Sequence, residues 1–182
     1  MKIAITGHSA GIGQALASAY QSRGHTIVGL SRRNGYNIRS FQKVADQIED
    51  CDMFINNAQA GFAQTELLFE MFRRWETQCD KVIVNISSEL TRQPSVQELN
   101  LEMDLYRIQK LALEESVIQL RRRSNLPRLV IVRPGQVYTQ EWMTCPPAAD
   151  PTVWAETVVN CLESVEDNLQ ITELTVMPRY DT

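Results

Sequence analysis

Tyr106 and Lys110 stand four residues apart, and on a helix that spacing aims both side chains at one spot. A phenol titrates near pH ~10, so alone it is a poor proton donor or acceptor at neutrality. An ammonium held beside it stabilises the phenolate and pulls the pKa down, which suits a tyrosine for general acid–base work. The same pair also fits a plain solvated helix face. The start of the chain adds weight to the chemical reading. Lys2-Ile3-Ala4-Ile5-Thr6 is a short apolar run fit for a buried strand, and Gly7-His8-Ser9-Ala10-Gly11-Ile12-Gly13 follows it. A helical stretch then runs from Gln14 to Arg23, with Gly24 placed to close it. A strand, a glycine loop and a helix in that order offer free backbone N–H groups and the positive end of a helix dipole to a phosphate. The glycines permit the tight turn and a close approach to a pyrophosphate. Their spacing is Gly-x-x-x-Gly-x-Gly, not the commoner Gly-x-Gly-x-x-Gly.

The elements that must carry these groups alternate along the chain. Strands are expected at 2–6, 26–30, 52–56, 81–86, 128–133 and 171–177, and helices at 11–23, 39–49, 64–78, 98–123 and 151–164. Most strand runs are rich in Val and Ile without strict alternation, as expected for a parallel sheet covered on both faces. On the fourth helix, Leu101, Leu105, Ile108 and Ala112 form one apolar stripe, and Tyr106, Lys110, Leu113 and Val117 form its neighbour. Ser95-Val96-Gln97-Glu98 has the pattern of a capping box for that helix, and Arg121, Arg122 and Arg123 read as a solvated cap at its end. The chain of 182 residues is expected to be one domain, 1–182, with a net charge of −4 that argues against a broad nucleic-acid surface. No apolar run approaches a membrane span, and no signal peptide is expected ahead of the first strand. Cys51, Cys79, Cys145 and Cys161 lack metal-type spacing, so no metal site is expected; free thiols in a reducing cytoplasm are the reading.

Five segments, in order, resemble the motifs of the short-chain dehydrogenase/reductase family. Thr6-Gly7-His8-Ser9-Ala10-Gly11-Ile12-Gly13 is similar to its nucleotide loop. Asn56-Asn57-Ala58-Gln59 is similar to its Asn-Asn-Ala-Gly, with Gln59 in place of the glycine. Val84-Asn85-Ile86-Ser87-Ser88 resembles the strand that delivers its serine. Tyr106-x-x-x-Lys110 resembles its tyrosine–lysine pair, and Arg133-Pro134-Gly135-x-Val137-x-Thr139 its Pro-Gly segment beside the nicotinamide. The resemblance implies an α/β fold with a Rossmann-like, doubly wound parallel sheet in a single three-layer α/β/α domain.

It also implies an enzyme: an oxidoreductase that moves a hydride between a nicotinamide cofactor and a small carbonyl or alcohol substrate, as a carbonyl reductase does. Tyr106 would act as acid or base, Lys110 would lower its pKa and bind the nicotinamide ribose, and Ser88, rather than Ser87, would orient the substrate oxygen. Gly7, His8, Ser9, Gly11, Ile12 and Gly13 would hold the pyrophosphate. Asn57, Ala58 and Gln59 would line the ribose, Asn37 and Ile38 would meet the adenine, and Pro134, Gly135, Val137 and Thr139 would close over the nicotinamide. After the second strand an NAD site usually carries a carboxylate for the ribose 2′-hydroxyl. Here Ser31, Arg32 and Arg33 stand instead. They either hold a 2′-phosphate or are surface residues, and the expectation is NADP(H) over NAD(H). Tyr36-Asn37-Ile38 is expected to be a vestigial strand.

Departures from the family are expected to matter. Residues 62–80 contain no asparagine where the family has one on this helix, and Gln64 is the nearest polar substitute. Ser88 and Tyr106 lie 18 residues apart, longer than usual, and only Gln140 to Asp150, with Trp142 and Met143, remain of a substrate lid. These departures support a second reading, a catalytically weak or inactive NADP(H)-binding sensor. The surplus of Leu67, Leu68, Phe69, Met71, Phe72 and Trp75 on the third helix suggests a homodimer. Met177-Pro178-Arg179-Tyr180 is expected to be an exposed tail or a contact with a partner.

Overall fold

Six short runs rich in Val and Ile become the six strands of one parallel sheet. The computed structural model describes residues 1–93, 100–139, 148–165 and 169–179. Its elements are β1 (Lys2–Thr6), α1 (Gly11–Ser22), β2 (Thr26–Leu30), α2 (Phe41–Ile48), β3 (Met53–Asn56), α3 (Ala63–Trp75), β4 (Val82–Ile86), α4 (Leu101–Arg123), β5 (Arg128–Pro134), α5 (Pro151–Glu163) and β6 (Glu173–Val176). The strand order is β2-β1-β3-β4-β5-β6, every neighbouring pair parallel. The chain winds outward from β1 to β2, then returns to build the other half from β3. That reversal leaves a crevice beyond the ends of β1 and β3, where open α/β sheets bind ligands.

The period-two alternation of strands sorts the core into two layers. Ile3, Ile5, Met53, Ile55, Val84 and Val132 point to the face covered by α1 and α5, with Leu16, Tyr20 and Trp154. Ala4, Phe54, Ile83, Leu129 and Ile131 point to the face covered by α2, α3 and α4, with Leu67, Met71, Trp75 and Val117. The result is the three-layer α/β/α, Rossmann-like architecture expected.

Four local expectations change. Tyr36-Asn37-Ile38 is not a strand. Asn37 Oδ1 accepts from Arg39 N at 3.0 Å and Asn37 O from Ser40 N at 2.9 Å, a turn of the kind asparagine favours over a ladder, and Ile38 drops into the core. The stripe of Leu101, Leu105 and Ile108 faces outward, these side chains being 84%, 49% and 53% exposed, while Gln109, Lys110, Leu113, Glu114 and Val117 are buried. Polar groups take the inward face because partners wait for them there. Leu67, Leu68, Met71, Phe72 and Trp75 are absorbed by their own core, so only Phe69 of that set is exposed. Arg121 is not a free cap: its guanidinium donates to Leu129 O and to Thr172 O, tying α4 to the ends of two segments. The expected capping box at 95–98 lies outside the described residues, and α4 is capped by Asn100, whose Oδ1 accepts from Met103 N at 2.9 Å. Of the tail, Met177 and Pro178 lie against Gly135, and Tyr180 lies outside the described residues.

Candidate nucleotide cleft and active site

The glycine loop is built around spaces that only glycine leaves open. Gly7 and Gly11 have φ of 72° and 54°, the left-handed region that side chains avoid. A Cβ on Gly13 would fall 2.3 Å from Gly7 O and 2.6 Å from Asn57 Nδ2, so the first turn of α1 can seat on the loop only without a side chain there. Thr6 locks the crevice from below. Its Oγ1 accepts from Asn57 N at 3.0 Å and Ala58 N at 3.1 Å, and Asn57 Nδ2 donates to Thr6 O at 2.9 Å. Ala10 begins α1 without a side-chain cap, which leaves its first N–H groups to the crevice. His8 takes a different place from the one expected. Its ring fills the space over Gly29, and its Nδ1 is buried without a hydrogen-bond partner among the described residues. Gly13 likewise serves packing, against Gly7 O and Asn57.

Two cavities meet along this loop. One, of about 580 Å³, is lined by Gly7, Ser9, Ala10, Ser31, Arg32, Arg33, Asn37, Ile38, Arg39 and Ala58 to Gly61. Its lining carries three arginines and no carboxylate. Ser31 uses its hydroxyl internally, donating to Asn34 Oδ1 at 3.2 Å, so it contributes shape more than a free donor. Arg33 donates to Ser9 O at 3.1 Å and so frames the loop. Arg39 is a lining residue that the motifs did not single out; a third arginine two residues beyond Asn37 was the available signal. The second cavity, about 420 Å³, is lined by Ala10, Gly11, Ile12, Asn57, Ala58, Gln59, Ile86, Ser87, Tyr106, Lys110, Pro134 and Thr139. Ala10, Ala58 and Gln59 belong to both. Gly135 lies outside it, pressed on Met177 and Pro178, and Val137 is a core residue.

Tyr106 walls the far end of the second cavity. A third cavity, about 550 Å³, lies on its other side, with Gln59, Asn100, Leu101, Glu102, Met103, Leu105 and Gln109. Gln59 bridges the gap from β3 to α4, its amide donating to the Gln109 side chain. Ser88 begins a 3-10 turn over Glu89–Thr91, its Oγ accepting from Leu90 N at 3.3 Å, and its side chain lies near enough to the Tyr106 phenol to favour the phenolate.

Lys110 is buried, and Nζ donates to Gln64 Oε1 at 2.9 Å and Ile86 O at 2.8 Å. Gln64 Nε2 donates in turn to Asn56 O at 2.6 Å and Ile86 O at 3.0 Å. Two carbonyls on the NH₂ leave the amide only one sensible orientation, with its oxygen on the lysine. The polar substitute that the sequence could not establish is therefore in direct contact with the lysine. Burial pulls the Lys110 pKa down to about 7, with Glu114 opposing it. The ammonium lies over the Tyr106 ring, 5.6 Å from its centroid. Burial also raises the Tyr106 pKa above its ordinary value, and the neighbouring Ser88 side chain pulls the other way. This corrects the expectation that Lys110 depresses the phenol. The lysine head is committed to Gln64 and Ile86, and desolvation is the larger influence on the tyrosine.

No protein-family model matches the sequence, and no curated protein matches it. Solved structures do. A short-chain dehydrogenase/reductase from Vibrio parahaemolyticus aligns over 98% of this chain and 100% of its own at 19% identity, TM-score 0.75. Serine dehydrogenase from Escherichia coli aligns over 98% of each chain at 15% identity, TM-score 0.75. A metagenomic short-chain oxidoreductase in complex with NADP aligns over 99% of this chain and 98% of its own at 18% identity, TM-score 0.71. The chain has the fold of the short-chain dehydrogenases/reductases over nearly its whole length. Among the described residues no helix is long and apolar enough to cross a membrane.

Proposed function

We propose that this protein is a short-chain dehydrogenase/reductase that uses NADP(H) to interconvert a carbonyl and an alcohol. The observation that carries the reading is a cleft with Tyr106 and Lys110 at one end and a glycine loop at the other, with Ser88 close enough to the phenol to lower its pKa. The cofactor fits what is present: a loop that one Cβ would fill, uncapped N–H groups of α1, and a lining with Arg32, Arg33 and Arg39. Gly7, Ser9, Gly11 and Ile12 would hold its pyrophosphate, the arginines its 2′-phosphate, and Asn57, Ala58, Pro134 and Thr139 its nicotinamide half. NADP(H), when bound, supplies or accepts the hydride.

Ser88 would hold the substrate oxygen by a hydrogen bond. Tyr106, whose raised pKa keeps it protonated at neutrality, would deliver a proton to that oxygen during reduction. Lys110 has two N–H bonds fixed by Gln64 and Ile86, which leaves one for the ribose hydroxyls. The alternative of an idle nucleotide sensor drew on the missing asparagine; the Gln64–Lys110 contact removes that part of its support. We place the enzyme in the cytoplasm, with Cys51, Cys79 and Cys161 as free thiols. A second copy is the expected partner, through the exposed Leu105 and Ile108 of α4 and Phe69 of α3; a monomer by light scattering at micromolar concentration would rule it out.

The test is NADPH consumption across small aldehydes, ketones and quinones, with Tyr106→Phe run in parallel. Turnover lost in the variant is the expected result. NADPH binding without turnover in either protein would favour the sensor. Turnover unchanged by the variant would remove Tyr106 as proton donor. Arg32→Ala and Arg39→Ala are expected to weaken NADPH several-fold while sparing NADH; equal losses for both would withdraw the 2′-phosphate assignment.

A further inference from the structure

Beyond Tyr106 and Lys110, α4 places one more polar residue on the same face. Glu114 follows Lys110 by one turn, so 106, 110 and 114 form a single row. Its carboxylate is buried, its side chain 7% exposed, and Arg133 beside it is 2% exposed. Arg133 grips both oxygens, Nε on Oε1 at 2.9 Å and Nη2 on Oε2 at 2.7 Å. The Ser87 hydroxyl also donates to Oε1. The Thr91 hydroxyl stands 2.8 Å from both Oε1 and Ser88 O, so its one proton serves either. Oε1 thus gathers three donors and Oε2 one, so neither oxygen is left without a partner.

What these partners flank is the point. Ser87 and Thr91 lie on either side of Ser88, at the two ends of the short turn that presents its hydroxyl to Tyr106. Arg133 immediately precedes Pro134, which walls the nicotinamide cavity. We infer that Glu114 is a positioning residue for the proposed reaction: it fixes Ser88 against Tyr106 by holding the turn at both ends from the helix that carries the tyrosine. The inference rests on the reductase reading above. Glu114 touches neither cavity and is not a catalytic residue. Misplacing a catalytic group by about 1 Å can cost a reaction about 100-fold, which is the scale on which such a hold acts.

An ion pair that serves only stability is separable from one that positions. Removing one partner of a buried pair is strongly destabilising, whereas replacing both by apolar residues of similar volume is often neutral or better. Glu114→Leu/Arg133→Met therefore restores packing without restoring the hold on Ser87 and Thr91; Glu173, the other partner of Arg133, keeps Arg92 at 2.8 Å. Ser87→Ala/Thr91→Val does the converse, keeping the ion pair and removing the two hydroxyls. For each we would measure NADPH affinity, kcat and KM, and amide exchange at Leu90, Thr91 and Arg92. The expectation for both variants is kcat reduced roughly 10- to 100-fold and faster exchange at the three amides; in the apolar variant, whose residues line neither cavity, affinity and KM stay within about threefold of the unaltered chain. An unaltered kcat in the apolar double variant, or unaltered exchange in Ser87→Ala/Thr91→Val, overturns the inference. If the apolar variant does not fold, the hydroxyl variant decides alone. If the unaltered chain reduces no carbonyl, the reductase reading fails by itself; exchange at the turn then decides whether Glu114 holds it, faster exchange upholding the hold and unchanged exchange ending it.

Discussion

The two ends of the cleft are made by opposite means. At the loop end, shape comes from atoms that are missing: Gly13 has no room for a Cβ, and Gly7 and Gly11 adopt backbone that a side chain would strain. At the tyrosine end, shape comes from polar groups that are buried and matched: Lys110 with Gln64, Gln64 with Asn56 and Ile86, Glu114 with Arg133 and Ser87. The first design tolerates exposure, and its arginines lie at the surface. The second depends on exclusion of water, because buried polar groups are costly unless each finds its partner. One end should fail by steric clash and lose binding. The other should fail by an unpaired group and lose chemistry.

The largest expected effect is at the tyrosine end. Tyr106→Phe should lower turnover by about 10²- to 10⁴-fold, the usual range for a positioned acid–base group, with NADPH affinity nearly unchanged by fluorescence titration. A matched loss of affinity would mean that the two ends are not separable. Gly13→Ala comes next. Its Cβ would meet Gly7 O at 2.3 Å, backbone that cannot swing aside. NADPH affinity should fall by about tenfold or more while circular dichroism shows the fold retained; unaltered affinity would deny the loop its part in binding.

Gln64→Leu tests the matched polar end directly. It removes a donor from Asn56 O and from Ile86 O, the latter keeping Lys110, and an acceptor from Lys110, so stability should drop by about 1–3 kcal/mol in urea unfolding, and kcat should fall more than KM rises. A stable variant with full turnover would show the contact to be incidental.

The pH dependence of stability probes the same buried end. Lys110 titrates near 7 when folded against 10.5 as its ordinary value. Between those values the unfolded chain binds more protons than the folded one, so stability should rise with pH across that window, by about 1.4 kcal/mol per unit at most. Tyr20 and Tyr106, both raised by burial, act oppositely above pH ~10, where the unfolded chain loses phenol protons that the folded chain keeps. Lys110→Met should flatten the rise between pH 7 and 9.5; an unchanged slope would place its cause elsewhere.

The difference between the two ends is also the difference in what a reader of the sequence can see. Glycine spacing, a preceding strand and a following helix are local, so the loop and β1–α1 were legible, as were all six strands within a residue or two. Tyr106 and Lys110 were legible because four residues make a helical turn. The direction of the Tyr106 pKa was not, since it is set by burial and by Ser88 from another element. Nor was the outward stripe of Leu101, Leu105 and Ile108, because periodicity marks two neighbouring faces and only the sheet chooses between them. His8 looked like a loop donor until Gly29 offered its ring a place to pack.

From the sequence alone came the order of elements, the glycine loop between β1 and α1, and the placing of Tyr106 and Lys110 one turn apart on α4, because each follows from spacing along one segment. Tertiary structure alone decided which polar groups meet. Gln64 finding Lys110, and Glu114 finding Arg133, Ser87 and Thr91, join residues from 19 to 46 positions apart, and no local pattern encodes such meetings. They exist because burying a charge is tolerable only where folding brings its partner to it.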